Sequence, residues 1–262
     1  MNKKLSYVCS AVLTLILMSC GDSGTSSADG DLSSSSSLVP SSSSVVSSSS
    51  SLIPSSSSVV SSSSVTKDWF NAAISYGSLT DTRDNQVYKT VVIGTQTWMA
   101  ENLNFDTLDG TGSRCYNNDA SYCATYGRLY NWNTVMAGSV SSATSPSGVQ
   151  GICPSGWHVP SNAEWTVLTD YVDSSTAGTQ LKANSSLWST NTGMDDYGFS
   201  ALPGGDYYGS DFYFVGYGGY WWSATAYSST YAYYRNMCYY YAFVSSGGYD
   251  KSYGFSLRCV KD

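Results

Sequence analysis

The sequence predicts an α+β domain in which two helices pack on an antiparallel sheet. Three observations predict it. Val87–Ile93 alternates and is rich in β-branched residues, and Gly94-Thr95 turns the chain into Gln96–Met99, which indicates a β-hairpin. Two segments with helical spacing follow, and after Phe199 the chain becomes strand-like and punctuated by glycine as far as Val260. Helices that precede a run of strands favour an α+β domain over a doubly wound parallel one.

Two helices are predicted between the hairpin and the glycine-rich strands. The first runs from Leu129 to Ala137 and carries apolar residues at helical spacing, namely Leu129, Trp132, Val135 and Met136. The second begins at a capping box, in which Ser161 is the N-cap and Glu164 lies three residues further on. Its predicted apolar face carries Trp165, Leu168, Tyr171 and Val172.

The amino-terminal segment has the features of a lipoprotein signal peptide. Two lysines precede the apolar segment Leu5–Met18, which as a helix at ~1.5 Å per residue is too short to span a ~30 Å hydrocarbon core. Leu17-Met18-Ser19-Cys20 resembles the bacterial lipobox, which implies a signal peptide of residues 1–19 and a lipid anchor on Cys20. Gly21 in the next position favours the outer membrane. The alternative is an ordinary signal peptide with an incidental cysteine.

Residues 20–65 begin at the cysteine that is expected to be lipidated and form a low-complexity segment. A serine-rich unit repeats in it, beginning at Leu38-Val39-Pro40 and again at Leu52-Ile53-Pro54. Isolated apolar pairs cannot bury a core, so we expect a disordered tether that holds the domain clear of a membrane surface. The composition changes at Thr66, and residues 66–262 have an ordinary size for one domain.

Charge and cysteine usage exclude several functions. Without the two lysines of the signal peptide, the chain has 10 basic and 19 acidic side chains, a net charge of −9, which makes it a poor candidate for binding nucleic acid.

An exported chain is expected to pair its remaining cysteines, and an odd number leaves one cysteine unpaired. The absence of Cys-x-x-Cys spacing and the single histidine argue against a structural zinc site. The remaining cysteines are Cys115, Cys123, Cys153, Cys238 and Cys259.

Many motifs of the domain, in order, resemble one family, the Fibrobacter succinogenes major paralogous domain. They span nearly the whole domain, and Asn85 stands where a turn glycine is more usual. The family implies no established biochemical activity. The matching motifs are Asp81-Thr82-Arg83-Asp84, Tyr88-Lys89-Thr90-Val91, Ile93-Gly94, Gln96-Thr97-Trp98-Met99-Ala100-Glu101-Asn102-Leu103-Asn104, Tyr126-Gly127-Arg128-Leu129-Tyr130-Asn131-Trp132, Gly151-Ile152-Cys153-Pro154-Ser155-Gly156-Trp157-His158-Val159-Pro160, Leu202-Pro203-Gly204-Gly205, Trp221-Trp222-Ser223 and Ser256-Leu257-Arg258-Cys259.

Two of these motifs, the helix start after His158 and the terminal strand before Val260, are similar to the C-type-lectin-like and formylglycine-generating-enzyme folds. The resemblance implies two helices packed on a curled antiparallel sheet with long glycine- and tyrosine-rich loops. It also implies a disulfide between Cys153 and Cys259, and Cys115 with Cys123 would close a small local loop. Cys238 is then left over, either as a buried thiol or as a partner that changes this assignment.

The sequence offers one catalytic candidate, His158, and one candidate calcium site, and neither has the spacing that its function needs. His158 has no Ser, Cys or acidic residue at a recognisable catalytic spacing, so we interpret it as a structural histidine and expect no enzymatic activity. Asp106, Asp109 and Asp119 lie in a polar loop that could hold calcium. The EF-hand spacing and the triplets of calcium-dependent sugar-binding lectins are absent, so we expect no cofactor, with calcium as the open alternative.

Residues 207–241 are the strongest binding candidate. Sixteen of these 35 residues are aromatic, and alternating strand faces cannot bury runs such as Tyr239-Tyr240-Tyr241 completely. Tyrosine and tryptophan present rigid apolar area with a polar tip, which suits interfaces and stacking on sugar rings. The alternative is that these rings fill a glycine-rich sheet. The candidate ligand-binding residues are Tyr207, Tyr208, Tyr213, Tyr220, Trp221 and Trp222.

The leading functional hypothesis is a binding or adhesion module displayed at the cell surface. The lipid anchor makes the membrane its first partner, and a plant-cell-wall polysaccharide is the suggested ligand. The alternative is a non-catalytic structural protein of the envelope that contacts other surface proteins.

Overall fold

The computed structural model describes residues 67–108, 110 and 112–262. The predicted signal peptide, the predicted lipidation site Cys20 and the predicted tether lie outside the described residues, as does Asp109. Within the described ranges no helix is long and apolar enough to cross a membrane.

The described residues combine thirteen strands with four α-helices, so the predicted α+β class is confirmed. The strands are β1 (Gly77–Thr80), β2 (Val87–Ile93), β3 (Gln96–Met99), β4 (Ser113–Arg114), β5 (Leu129–Asn131), β6 (Trp157–His158), β7 (Gly204–Tyr208), β8 (Asp211–Val215), β9 (Gly218–Ala226), β10 (Tyr231–Cys238), β11 (Ser245–Asp250), β12 (Gly254–Phe255) and β13 (Val260–Lys261). The helices are α1 (Ala120–Tyr126), α2 (Trp132–Met136), α3 (Asn162–Val172) and α4 (Ala177–Leu181), and Tyr116–Asn118 forms a 3₁₀ turn.

The smaller sheet is antiparallel and has the strand order β1-β2-β3-β13-β6. The predicted hairpin of β2 and β3 lies at its centre, and Gly94 adopts a φ of 61° in the turn between them. The carboxyl-terminal strand β13 is inserted between β3 and β6, where Val260 is paired with Trp98 on one side and His158 on the other. The sheet therefore joins the first and last strands of the domain.

The larger sheet has the order β11-β10-β9-β7-β12-β5-β4, with β8 paired to β7. The strands β7 and β9 run parallel where Gly205 is paired with Gly219, and the other named pairs of this sheet are antiparallel. Gly254 of β12 is required by close packing, because a Cβ at this position would lie 1.8 Å from Cε1 of Tyr207. The glycines that punctuate the sequence thus allow rings to lie directly against neighbouring strands.

Helix α3 forms where the capping box predicts it. The Ser161 hydroxyl accepts a hydrogen bond from the Glu164 amide, and the Glu164 carboxylate accepts one from the Ser161 amide. Trp165 is fully buried, and its ring lies 4.8 Å from that of Trp98 and 6.2 Å from that of Trp221. The helix therefore fills the space between the two sheets.

The apolar face of α3 is narrower than predicted, because Tyr171 is 58% exposed while Trp165, Leu168 and Val172 are buried. At ~100° per residue, Tyr171 lies about 60° beyond Leu168, at the edge of the buried stripe. Its ring packs edge-on against Tyr197 at 6.0 Å.

The predicted helix from Leu129 to Ala137 is wrong in its first three residues. Leu129–Asn131 forms strand β5, which pairs with β4 and β12. The helix begins only at Trp132, because the Asn131 side chain accepts a hydrogen bond from the Thr134 amide and caps the first turn. In so short an apolar segment, the spacing of apolar residues does not distinguish a buried strand from a buried turn of helix.

A buried hydrogen-bond network at Asn102 connects four family motifs. Its Oδ1 accepts hydrogen bonds from Nε1 of Trp221 and Nε of Arg258, both at 2.8 Å, and its Nδ2 donates to the Tyr126 carbonyl at 2.8 Å. Asn102, Trp221 and Arg258 are all buried. Since buried polar groups need partners, these motif residues are explained by the fold.

Both predicted disulfides are present, the one that the resemblance implies and the small local loop. Cys153 is bonded to Cys259, 106 residues away, and Cys115 is bonded to Cys123. The first attaches the carboxyl-terminal segment to the loop before β6, and the second ties α1 to the residue preceding the 3₁₀ turn. Cys238 is buried at the end of β10.

Candidate ligand-binding site

Four of the six predicted ligand-binding rings belong to the core. Their exposed fractions range from 0 to 9%, so these four side chains are packed inside the fold rather than presented to solvent. Strand β9 is covered on both faces, which buries eight successive residues. Nε1 of Trp222 also donates to the Tyr130 carbonyl at 2.8 Å, so this indole is fixed inside the fold. The four residues are Tyr207, Tyr220, Trp221 and Trp222.

The other two predicted residues, Tyr208 and Tyr213, are 49% and 41% exposed. Tyr208 ends strand β7, and its ring stacks on that of Tyr253 with centroids 4.4 Å apart and an angle of 16° between the planes. Tyr213 lies on the neighbouring strand β8. Both side chains are therefore presented to solvent.

The register of the larger sheet joins these two rings to a wider surface. Successive residues of a strand point to opposite faces, so Asp206 and Tyr208 share one face of β7, and Asp206 is paired with Tyr213 on β8. The pairing of Gly205 with Gly219 brings Tyr220 of β9 to the same face. We call this surface the tyrosine face, and it consists of Asp206, Tyr208, Tyr213, Tyr220, Tyr234, Tyr249 and Tyr253.

Ring contacts run without a break along the tyrosine face. Tyr253 meets Tyr249 edge to face at 4.5 Å, Tyr249 lies 5.3 Å from Tyr234, and Tyr234 lies 6.3 Å from Tyr220. Exposure falls in the same order, from exposed Tyr208 through half-buried Tyr253 and Tyr249 to buried Tyr234 and Tyr220. The face therefore has an open end at Tyr208 and a closed end at Tyr220.

Asp206 is the buried acid of the tyrosine face, with only 3% of the residue exposed, whereas Asp211, which is paired with Tyr208, is exposed. Its Oδ1 is buried without a hydrogen-bond partner, and no salt bridge to it occurs among the described residues. Burial raises the pKa of this carboxyl from 3.8 to about 7. A buried acid that no side chain compensates is expensive to keep, which marks the position as a functional candidate.

The charge of Asp206 helps to raise the pKa of the surrounding tyrosines. Burial raises the pKa of Tyr234 to about 12, and the charge of Asp206 adds to this shift. Burial likewise raises the pKa of Tyr220, Tyr249 and Tyr253, and in each case the Asp206 charge contributes further. These phenols therefore stay neutral at physiological pH and keep their hydrogen-bonding protons.

His158 is held between two carboxylates, as a structural histidine would be. Its Nε2 lies 2.7 Å from Oε1 of Glu164, and its Nδ1 lies 2.7 Å from Oδ1 of Asp262. Burial lowers the pKa of His158, but the hydrogen bonds to these two acids outweigh burial and raise the pKa overall. Cavities of about 40, 260 and 460 Å³ open elsewhere in the described residues, and His158 lines none of the three.

In the loop that was considered for calcium, the described acidic side chains make other contacts. Asp106 forms a salt bridge with Arg128, and Asp119 accepts a hydrogen bond from the Ser121 amide at 2.9 Å as the N-cap of α1. Among the described residues no group of three or more His, Cys, Asp or Glu side chains is placed to hold a metal ion.

Comparison with known proteins gives one match. No curated protein and no solved structure matches the chain. The model of the Fibrobacter succinogenes major domain matches residues 91–261, from the middle of β2 into β13. This match covers more than half of the chain, including both disulfides, the Asn102 network and the tyrosine face. The chain therefore belongs to the Fibrobacter succinogenes major domain family.

Proposed function

We propose that the protein is a non-catalytic binding module whose tyrosine face binds a polysaccharide. The observation that carries this proposal is the exposed ring of Tyr208, stacked flat on Tyr253 at the open end of the face. A ring held rigid by a neighbour offers apolar area to the flat side of a sugar at little entropic cost.

Polar groups beside this ring fit the same ligand class. Tyr249 and Tyr253 are half-buried and meet edge to face at 4.5 Å, and Tyr213 is exposed on the adjoining strand. Phenol groups both donate and accept hydrogen bonds, as sugar hydroxyls do. Tyrosine-rich surfaces of this kind combine rigid contact area with adaptable polarity.

We also infer a C-type-lectin-like arrangement for the domain. Three features support it: β13 is inserted between β3 and β6, Cys153 is bonded to Cys259, and α3 begins at the capping box. Long segments between the strands of the larger sheet would then be the natural place for a ligand.

We further propose that Cys20 anchors the protein in the outer membrane and that residues 20–65 tether the domain to it. The lipobox-like Leu17-Met18-Ser19-Cys20 supports this localisation. In cells fed a labelled fatty acid, the wild-type chain should carry the label and fractionate with membranes. Cys20→Ala should lose both properties, and a labelled Cys20→Ala protein would contradict the anchor.

The binding function is tested by retention of the purified protein on insoluble cellulose and xylan, with albumin as the control. We expect retention above albumin on at least one polysaccharide. No retention on any glycan would overturn the carbohydrate proposal. Cross-linking in intact cells to one constant protein neighbour, whatever the carbon source, would then favour the structural envelope role.

A further inference from the structure

We propose that the tyrosine face binds an organic ammonium group, held by the Asp206 carboxylate and the surrounding rings. This inference rests on the proposed function only in taking the tyrosine face as the ligand-binding surface. It adds the chemical class of the group that is recognised.

The first argument is the uncompensated charge of Asp206. No hydrogen bond and no salt bridge to its carboxylate occurs in the part of the chain that is described, although only 3% of the residue's surface is exposed. A carboxylate in such surroundings is stabilised most strongly by a cation, since attraction between opposite charges grows as water is excluded. The buried carboxylate therefore favours a positively charged ligand group over a neutral one.

The second argument is the nature of the surrounding groups. Aromatic faces attract cations through the negative potential above the ring, and an alkylated ammonium also gains apolar contact there. Tyr220, Tyr234, Tyr249 and Tyr253 all lie close enough to Asp206 for its charge to shift their pKa. The sheet register gives the same placement, because Asp206 is paired with Tyr213 on β8 and lies beside Tyr220 of β9 on one face.

The third argument is the absence of a competing cation among the described residues. The other groups near Asp206 are Tyr116 beneath β7, and Tyr213 with the acidic Asp211 on β8. Arg114 donates to the Gly209 carbonyl at 2.8 Å and lies over the ring of Tyr207, which points to the opposite face of β7. The field at the tyrosine face is therefore negative.

The ligand charge can be read from the pH dependence of binding. A cation binds the ionised carboxylate, so its affinity should rise as the pH increases through about 7, the pKa of Asp206. A neutral ligand that accepts a hydrogen bond from the protonated acid would show the opposite dependence. The two ligand classes thus predict opposite signs.

The test compares choline with its uncharged isostere 3,3-dimethylbutan-1-ol, by NMR titration of the full chain at about pH 8. We expect choline to bind about tenfold more tightly, and Asp206→Asn to abolish this preference. Asp170→Asn, which removes a charge from the exposed surface of α3 beyond the sheet, is the matched control and should keep the preference. In the wild type, choline affinity should fall at least about fivefold at pH 5.5, because Asp206 is then protonated.

Choline binding no tighter than its isostere, or an unchanged preference in Asp206→Asn, would overturn the inference. Affinity for choline that rises at low pH would overturn it as well. Retention on polysaccharide is measured separately, so a protein that binds xylan but not choline contradicts this inference and leaves the proposed function standing. A protein that binds neither contradicts both.

Discussion

At the scale of single residues, the most unusual side chain is that of Asp206, which is acidic and buried. Its neighbours in the sequence are glycines and tyrosines, and its side chain is buried among rings with no partner in the described residues. The free energy of its ionisation therefore differs strongly between the folded and unfolded chain. This difference makes the stability of the protein sensitive to pH.

Asp206→Asn should stabilise the protein at about pH 8 and have little effect at about pH 4. The folded pKa, about 7, lies above the unfolded value of 3.8, so the folded state holds a proton that the unfolded state has lost. Stability is therefore lost as the pH rises from the unfolded towards the folded pKa, by an amount on the order of 3–4 kcal/mol. Asparagine has no such charge, and the difference appears in urea unfolding at both pH values.

Equal unfolding midpoints for Asp206→Asn and the wild type at pH 8 would mean that the carboxylate is compensated. Asp196→Asn is the control, because this carboxylate is exposed and has no salt bridge among the described residues, so the change should alter stability little at either pH.

At the scale of elements, α3 is the one most firmly specified by its own sequence. Ser161 and Glu164 satisfy each other's amides, and the Glu164 carboxylate also accepts a hydrogen bond from the Ser147 amide at 3.1 Å. The capping box thus fixes the helix start and the loop before it.

Ser161→Ala should lower the free energy of unfolding by about 1 kcal/mol, because the Glu164 amide loses its partner in a buried position. Ser186→Ala, at an exposed serine between α4 and β7, should change it by less than about 0.5 kcal/mol. Thermal unfolding of the two variants compares them directly. A midpoint for Ser161→Ala as high as that of Ser186→Ala would contradict the role of the cap.

Elements with a strong local signal could be predicted from the sequence, and those decided by tertiary pairing could not. The β2–β3 hairpin and α3 have turn and cap residues of their own. β5 is a strand because β4 and β12 flank it, which its apolar spacing does not encode. The same limit applied to the site: Tyr208 and Tyr213 were predicted, whereas Asp206, Tyr249 and Tyr253 join them only through the sheet register.

At the scale of the whole molecule, the Cys153–Cys259 disulfide closes most of the domain into one loop. It joins residues 106 apart, whereas Cys115 and Cys123 are 8 apart. In the chain-entropy model, a longer closed loop removes more freedom from the unfolded state.

Replacing Cys153 and Cys259 together by alanine should therefore cost about 2 kcal/mol more than replacing Cys115 and Cys123 together. Urea unfolding of the two double variants gives the comparison. Equal losses would show that local packing, not loop closure, dominates both contributions.

Exposed tyrosines occur on both sides of the larger sheet. Helix α3 covers one face of the larger sheet, through Trp165 against Trp221 and Arg235 against Asn162, while the tyrosine face lies on the other. Tyr171 is exposed on the side of α3 and Tyr208 on the side of the tyrosine face, with similar exposed fractions of 58% and 49%. This pair permits a matched comparison.

The central claim, that the tyrosine face is the ligand-binding surface, is tested most directly by affinity electrophoresis of Tyr208→Ala and Tyr171→Ala. The gel contains the soluble form of a polysaccharide that retains the wild type. We predict that Tyr171→Ala migrates like the wild type, and that Tyr208→Ala loses about tenfold or more of the affinity, as expected for an aromatic residue at the centre of a contact. Retardation of Tyr208→Ala equal to that of the wild type would contradict the claim.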